Sequence, residues 1–139
     1  MSDDFPNVVS GDGYAAANLD DLGEGYGFRR IRRGLGVEAF GANAIVLPPR
    51  YEAGAHLHET QEELYFVHAG EIEMEFGDGC VVTLGPGGVA RVDAPTVRRL
   101  RNVGHVDAVV LVVGGKDGYI GRDGKLPEGE SRAGGPLDS

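Results

Sequence analysis

Residues 71–76 carry the cleanest alternation in the chain, with Ile72, Met74 and Phe76 on one side and Glu71, Glu73 and Glu75 on the other. A period of two marks a strand with one apolar face and one solvated face. Shorter β-prone runs precede and follow it, at residues 28–33, 37–40, 44–47, 64–67, 89–92, 97–102 and 108–113. Turn residues separate them. Gly34-Leu35-Gly36 reads as a hairpin between the first two, and Pro48-Pro49 halts the third. Gly77-Asp78-Gly79 closes the hairpin after the glutamate strand, and Leu84-Gly85-Pro86-Gly87-Gly88 closes the next. Turn signals recur about every 8–12 residues and no stretch shows a helical period, which predicts an all-β sandwich or barrel.

The pattern divides the chain into three parts. Residues 1–25 are acidic and weakly periodic, an arm expected to pack on the domain or on a partner subunit. Residues 26–114 form the β-domain. Residues 115–139 are rich in Gly and acidic residues; Tyr119-Ile120 is expected to dock, and residues 126–139 to lack order. There is no internal repeat.

With 139 residues, 41% hydrophobic and 25% charged, the chain suits one globular domain. Its 24 glycines and lack of tryptophan fit a fold made of many tight turns. The formal charge of -9 disfavours nucleic acid and anionic membranes as partners. The basic run Arg29-Arg30-Ile31-Arg32-Arg33 reads as a solvated strand edge. No apolar run is long enough to span a bilayer. Cys80 stands alone, so no internal disulfide can form; a small buried thiol and a cytoplasmic location are expected.

The chemistry concentrates in Ala55-His56-Leu57-His58-Glu59-Thr60-Gln61-Glu62-Glu63. In an extended strand His56 and His58 share a face, with Leu57 opposite. Two imidazoles with an inward carboxylate, Glu63, make the donor set of a two-histidine, one-carboxylate metal centre. Burying both rings without a partner would cost several kcal/mol. Glu62 falls on the opposite, solvated side. Tyr65 shares the face of Glu63 and lines the pocket. His68 and His105 sit beside turn glycines and read as exposed turn residues.

The string His-x-His, four residues, Glu63, six residues, Gly70 resembles the first motif of the cupin superfamily. The glycine that this motif places six positions before its first histidine is Arg50 here. Gly87 and Asn102 match the ends of the second cupin motif, while Asp93, Pro95 and Arg98 stand where proline, glycine and a last metal-binding histidine are usual. The resemblance covers residues 42–114. It implies a double-sheet jelly-roll cupin barrel, a homodimer and a divalent transition metal (Fe, Mn, Ni, Cu or Zn) held by His56, His58 and Glu63.

Arg98 shares its face with Leu100 and Asn102, and a guanidinium cannot ligate a cation. Three arrangements are open to it. It can pair with Glu63 in place of a metal, clamp a bound carboxylate or phosphate, or swing outward. The site therefore supports two functional expectations. One is a metal-dependent protein, a dioxygenase or isomerase by the resemblance, with a pocket for a small organic anion lined by Arg98, Tyr65 and Asn102. The other is a non-catalytic small-molecule binder in which Arg98 neutralises Glu63. No residue is assigned a catalytic role.

Overall fold

A computed structural model describes residues 4–121, 123–128 and 134–137 of the chain. In order, its elements are β1 (Val9–Gly11), β2 (Tyr14–Ala16), a 3-10 turn (Leu19–Asp21), β3 (Gly27–Arg29), α1 (Ile31–Leu35), β4 (Gly41–Leu47) and β5 (Tyr51–Glu52). There follow β6 (Leu57–His58), β7 (Glu62–Ala69), β8 (Ile72–Phe76), β9 (Val81–Leu84), β10 (Val89–Val92), β11 (Arg98–Asn102) and β12 (Ala108–Gly115). The described part of the tail adds β13 (Gly124–Lys125) and β14 (Gly135–Pro136).

Two five-stranded sheets, ordered β10-β7-β12-β4-β3 and β14-β5-β11-β8-β9, face each other. Their strand pairs are antiparallel. The apolar faces meet in one core, with Leu47, Tyr65, Val67, Val92, Ala108 and Val110 from one sheet and Ile72, Met74 and Leu100 from the other. Ile72 and Met74 are fully buried, as the alternation of β8 requires. The architecture is a double-stranded β-helix of two antiparallel sheets.

Several local expectations give way to tertiary structure. Residues 31–35 form a single helical turn, ended by Gly36 in the left-handed conformation (φ 75°), so Gly34-Leu35-Gly36 is no hairpin. The residues around Gly87 do not close a hairpin either, because β9 pairs with β8 while β10 pairs with β7, and the turn carries the chain between sheets. The basic run is a solvated edge only in part: it begins on the edge strand β3 and Arg30 and Arg33 are exposed, but the other two arginines are engaged. Arg29 is buried and bonds the carboxylate of Asp20 and the carbonyl of Gly25, and Arg32 lies 4.0 Å over the ring of Tyr119. Cys80 is exposed, since it ends the tight turn in which Asp78 caps its amide.

The glutamate face of β8 is half-covered. Arg101 of β11 reaches Glu75 and Glu52, with Glu73 at 4.0 Å, so the charges pair across strands. In the N-terminal arm, β1 and β2 form a small hairpin. In the tail, β14 adds to the edge of the second sheet at β5, and β13 pairs with β6. Of the segment expected to lack order, residues 129–133 and 138–139 lie outside the described residues.

Candidate metal centre

The site is built where three short pieces of backbone meet. His56 forms an antiparallel bridge with Arg98, each amide donating to the other's carbonyl (3.0 and 2.9 Å). His58 follows on β6, its amide held by the carbonyl of Ala94 at 2.8 Å. Glu63 and Tyr65 lie two apart on β7, which pairs with β10 and β12 and turns both side chains inward.

These pieces bring His56, His58 and Glu63 together, with one donor atom from each within 4.8 Å of the others. The two rings meet edge to face at 5.2 Å between centroids. Nε2 of His58 lies 3.2 Å, and Nε2 of His56 3.7 Å, from Oε1 of Glu63. The His58 contact is close but poorly aligned as a hydrogen bond, and both its ring nitrogens are buried without a hydrogen-bond partner. The Nε2 atoms of both histidines face Oε1 of Glu63, and that of His58 has no hydrogen bond, which a transition metal would supply, so the donors fit the ion implied by the motif.

Both oxygens of Glu63 are positioned. The hydroxyl of Tyr65 donates to Oε1 at 2.6 Å, and Nε2 of Gln61 donates to Oε2 at 2.9 Å. Burial alone would raise the pKa of Glu63. The hydrogen bond from Tyr65 and the close approach of the His56 and His58 rings together outweigh it and hold the carboxyl well below the usual range. Tyr65 moves the other way: burial and the neighbouring Glu63 push its phenol well up, against an opposing pull from Arg98. Glu63 is thus an anion and, in the metal-free chain, Tyr65 a neutral donor.

Asp123, in the tail, accepts the amides of Thr60 (2.8 Å) and Gln61 (2.6 Å) and lies 3.7 Å from Nδ1 of His58. These amide bonds outweigh the effect of burial and lower its pKa. A carboxylate behind a histidine is the usual device for fixing a metal-ligand ring. Gln61 was legible from strand parity with Glu63. Asp123 had no local signal, because 65 or so residues separate it from His58 and only the β13–β6 pairing brings it back.

Arg98 is fully buried and points inward. Its Nη2 donates to the carbonyl of Asp93 at 2.9 Å, while Nε and Nη1 are buried without a hydrogen-bond partner. Asn102 is fully buried too. Its Nδ2 lies 2.8–3.1 Å from the carbonyls of Leu47, Pro48 and Val106, and its Oδ1 accepts the amide of Gly104. That amide latches loops together and has no donor left for a ligand. Glu62, His68 and His105 are exposed. Two clefts of about 190 and 520 Å³ lie at Phe76, Gly77 and Val97, and neither is lined by His56, His58 or Glu63.

Residues 44–114 match the cupin domain model, and the chain belongs to the cupin family. Solved structures share the fold. An uncharacterised Klebsiella pneumoniae protein with a double-stranded beta-helix domain is 22% identical (TM-score 0.58), with 65% of this chain and 76% of that one covered. A cupin-superfamily sugar phosphate isomerase from Silicibacter pomeroyi is 25% identical (TM-score 0.58), with coverage of 76% and 60%. A DMSP lyase from Ruegeria pomeroyi is 26% identical (TM-score 0.57), with coverage of 66% and 45%, so the chain spans less than half of that enzyme. No curated protein matches.

Proposed function

We propose that this chain is a metal-dependent cupin that binds a small organic anion, such as a carboxylate or phosphate ester, between the metal and Arg98. The observation that carries the reading is the guanidinium of Arg98, fully buried yet with Nε and Nη1 unpartnered. A buried cation with unspent donors is costly unless an anion joins it. The neighbouring isomerase is named for a sugar phosphate, a substrate of that charge class.

The metal, held by His56, His58 and Glu63, would supply Lewis acidity to an oxygen of the ligand. Glu63 stays anionic, with its oxygens fixed by Tyr65 and Gln61. Arg98 orients the ligand's charged end through its free donors. His56, the one partly exposed member, marks the side from which a ligand enters. The metal-free reading, in which Arg98 neutralises Glu63, is disfavoured because Arg98 bonds the Asp93 carbonyl while Tyr65 and Gln61 take the Glu63 oxygens.

The test titrates a panel of small carboxylates and phosphate esters into metal-loaded wild type and Arg98→Met. Wild type should bind at least one of them, and the variant should lose about 10- to 100-fold in affinity, as expected for a charged hydrogen bond, while keeping its metal. Equal binding in both proteins would refute the anchor role.

A further inference from the structure

We propose that the tail segment carrying Asp123 is a clasp on the metal centre. Asp123 is a positioning residue for His58 and Glu63, and docking of the tail and binding of the metal strengthen each other. The inference rests on the metal reading above and adds to it a control exerted by the tail.

The connection that carries the chain from His58 to Glu63 is held by the tail. Residues 59–61 lie between β6 and β7, and Asp123 takes all three of their amides. Its carbonyl accepts from Glu59 at 3.3 Å, and its Oδ2 accepts from Thr60 and Gln61 at 2.8 and 2.6 Å. That side chain is only 6% exposed, although Gly124 and Lys125 beside it are exposed. The following strand, β13, pairs Gly124 with His58 and Lys125 with Leu57, and the Lys125 ammonium meets the Glu59 carboxylate. Gln61, with its amide fixed, sends its side chain to Oε2 of Glu63. The space it uses is kept open by Gly114, where a Cβ would stand 2.7 Å from Nε2 of Gln61. One tail residue thereby braces both His58 and Glu63.

The coupling has a physical source at Nδ1 of His58. That atom is buried without a hydrogen bond, 3.7 Å from Oδ2 of Asp123. A metal on Nε2 fixes the tautomer that carries its N–H at Nδ1, and fixes the plane of the ring. The acceptor standing there is the Asp123 carboxylate, so the loaded site gains a charge-assisted hydrogen bond that the metal-free chain lacks. A contact made only in the loaded state is a coupling free energy, and it is reciprocal. The factor by which the docked tail tightens the metal is the factor by which the metal tightens the tail. A plain staple, tying the tail to residues 59–61 and nothing more, would leave Nδ1 unspent and would not respond to metal.

The experiment titrates Zn(II) into metal-free wild type, Asp123→Asn and Asp123→Ala against a competing chelator. It also measures amide hydrogen exchange in wild type with and without zinc. Asp123→Asn keeps an oxygen for the amides of Thr60 and Gln61 but loses the charge facing Nδ1 of His58. It should bind zinc about 10- to 100-fold more weakly than wild type, and Asp123→Ala at least as weakly. In wild type, zinc should slow exchange at Thr60 and Gln61 by a similar factor. The amide of Cys80, held by Asp78 in the β8–β9 turn, should exchange as before. If either variant fails to fold, the wild-type exchange decides alone. Equal zinc affinity in all three proteins, or exchange at Thr60 and Gln61 that zinc leaves unchanged, would overturn the clasp and leave the three-donor site standing. Absence of zinc binding by wild type would overturn both.

Discussion

The segment carrying His56, His58 and Glu63 and the strand carrying Arg98 and Asn102 face the same barrel interior, yet their motif positions have kept different things. The first keeps its chemistry and relaxes its scaffold. Its three donors converge, while the position of its leading glycine is held by Arg50, which adopts a glycine-like φ of 55° and bonds the carbonyl of Val103. The second keeps its scaffold and changes its chemistry. Gly87 retains a φ of 86° and Asn102 ties three carbonyls, but the ligand position holds a buried cation. Structural and chemical duties within one motif are therefore separable, and a missing ligand does not imply a missing barrel.

The largest effect should come from the scaffold side. Asn102→Ala strands buried carbonyls of Leu47, Pro48 and Val106 and the amide of Gly104, and should cost about 3 kcal/mol in urea unfolding. A loss under about 1 kcal/mol would show that the latch is dispensable. Gly70→Ala comes next. Gly70 has a φ of 77°, and a Cβ there would stand 2.7 Å from the carbonyl oxygen of Asp107, so the β7–β8 turn must shift. We expect about 2 kcal/mol of destabilisation. Gly87→Ala, where a Cβ meets nothing within 4 Å, should cost less, and the ranking of the two is the check.

How far the sequence led can be judged from the same residues. Period-two alternation found β8 because Ile72 and Met74 face a core while their neighbours face out. Spacing put His56 and His58 on one face because strand geometry leaves no other arrangement. It could not rank the three arrangements of Arg98, since the Asp93 carbonyl that holds it is brought near by folding of the turn before β11. Residues 31–33 were read as the end of a strand and 34–36 as a hairpin because a single helical turn leaves too short a period to detect; here a left-handed glycine ends it. The edge role of β14 and the approach of Asp123 to His58 were invisible, because both depend on the tail returning over the barrel.

Arg98→Met sharpens the contrast between function and stability. It removes an unpaired buried charge and fills the space with an apolar chain, so the ligand-free variant should gain about 1–2 kcal/mol in urea unfolding. A loss of stability would mean that the arginine is held for structural reasons. The smallest effect concerns acid. Glu63 has a depressed pKa in the folded chain, so its contribution is present above the unfolded-state value of about 4.3 and is lost as pH falls below it. Metal-free wild type should therefore lose stability more steeply below about pH 4 than Glu63→Gln. Parallel curves would remove Glu63 from the acid response.

The most direct test of the central claim is the metal content of protein dialysed against a transition metal and freed of excess ion, compared with His56→Ala/His58→Ala treated identically. Elemental analysis should find one bound metal per wild-type chain and none in the double variant. Wild type without metal, or a double variant that keeps a full equivalent, would contradict the site described here.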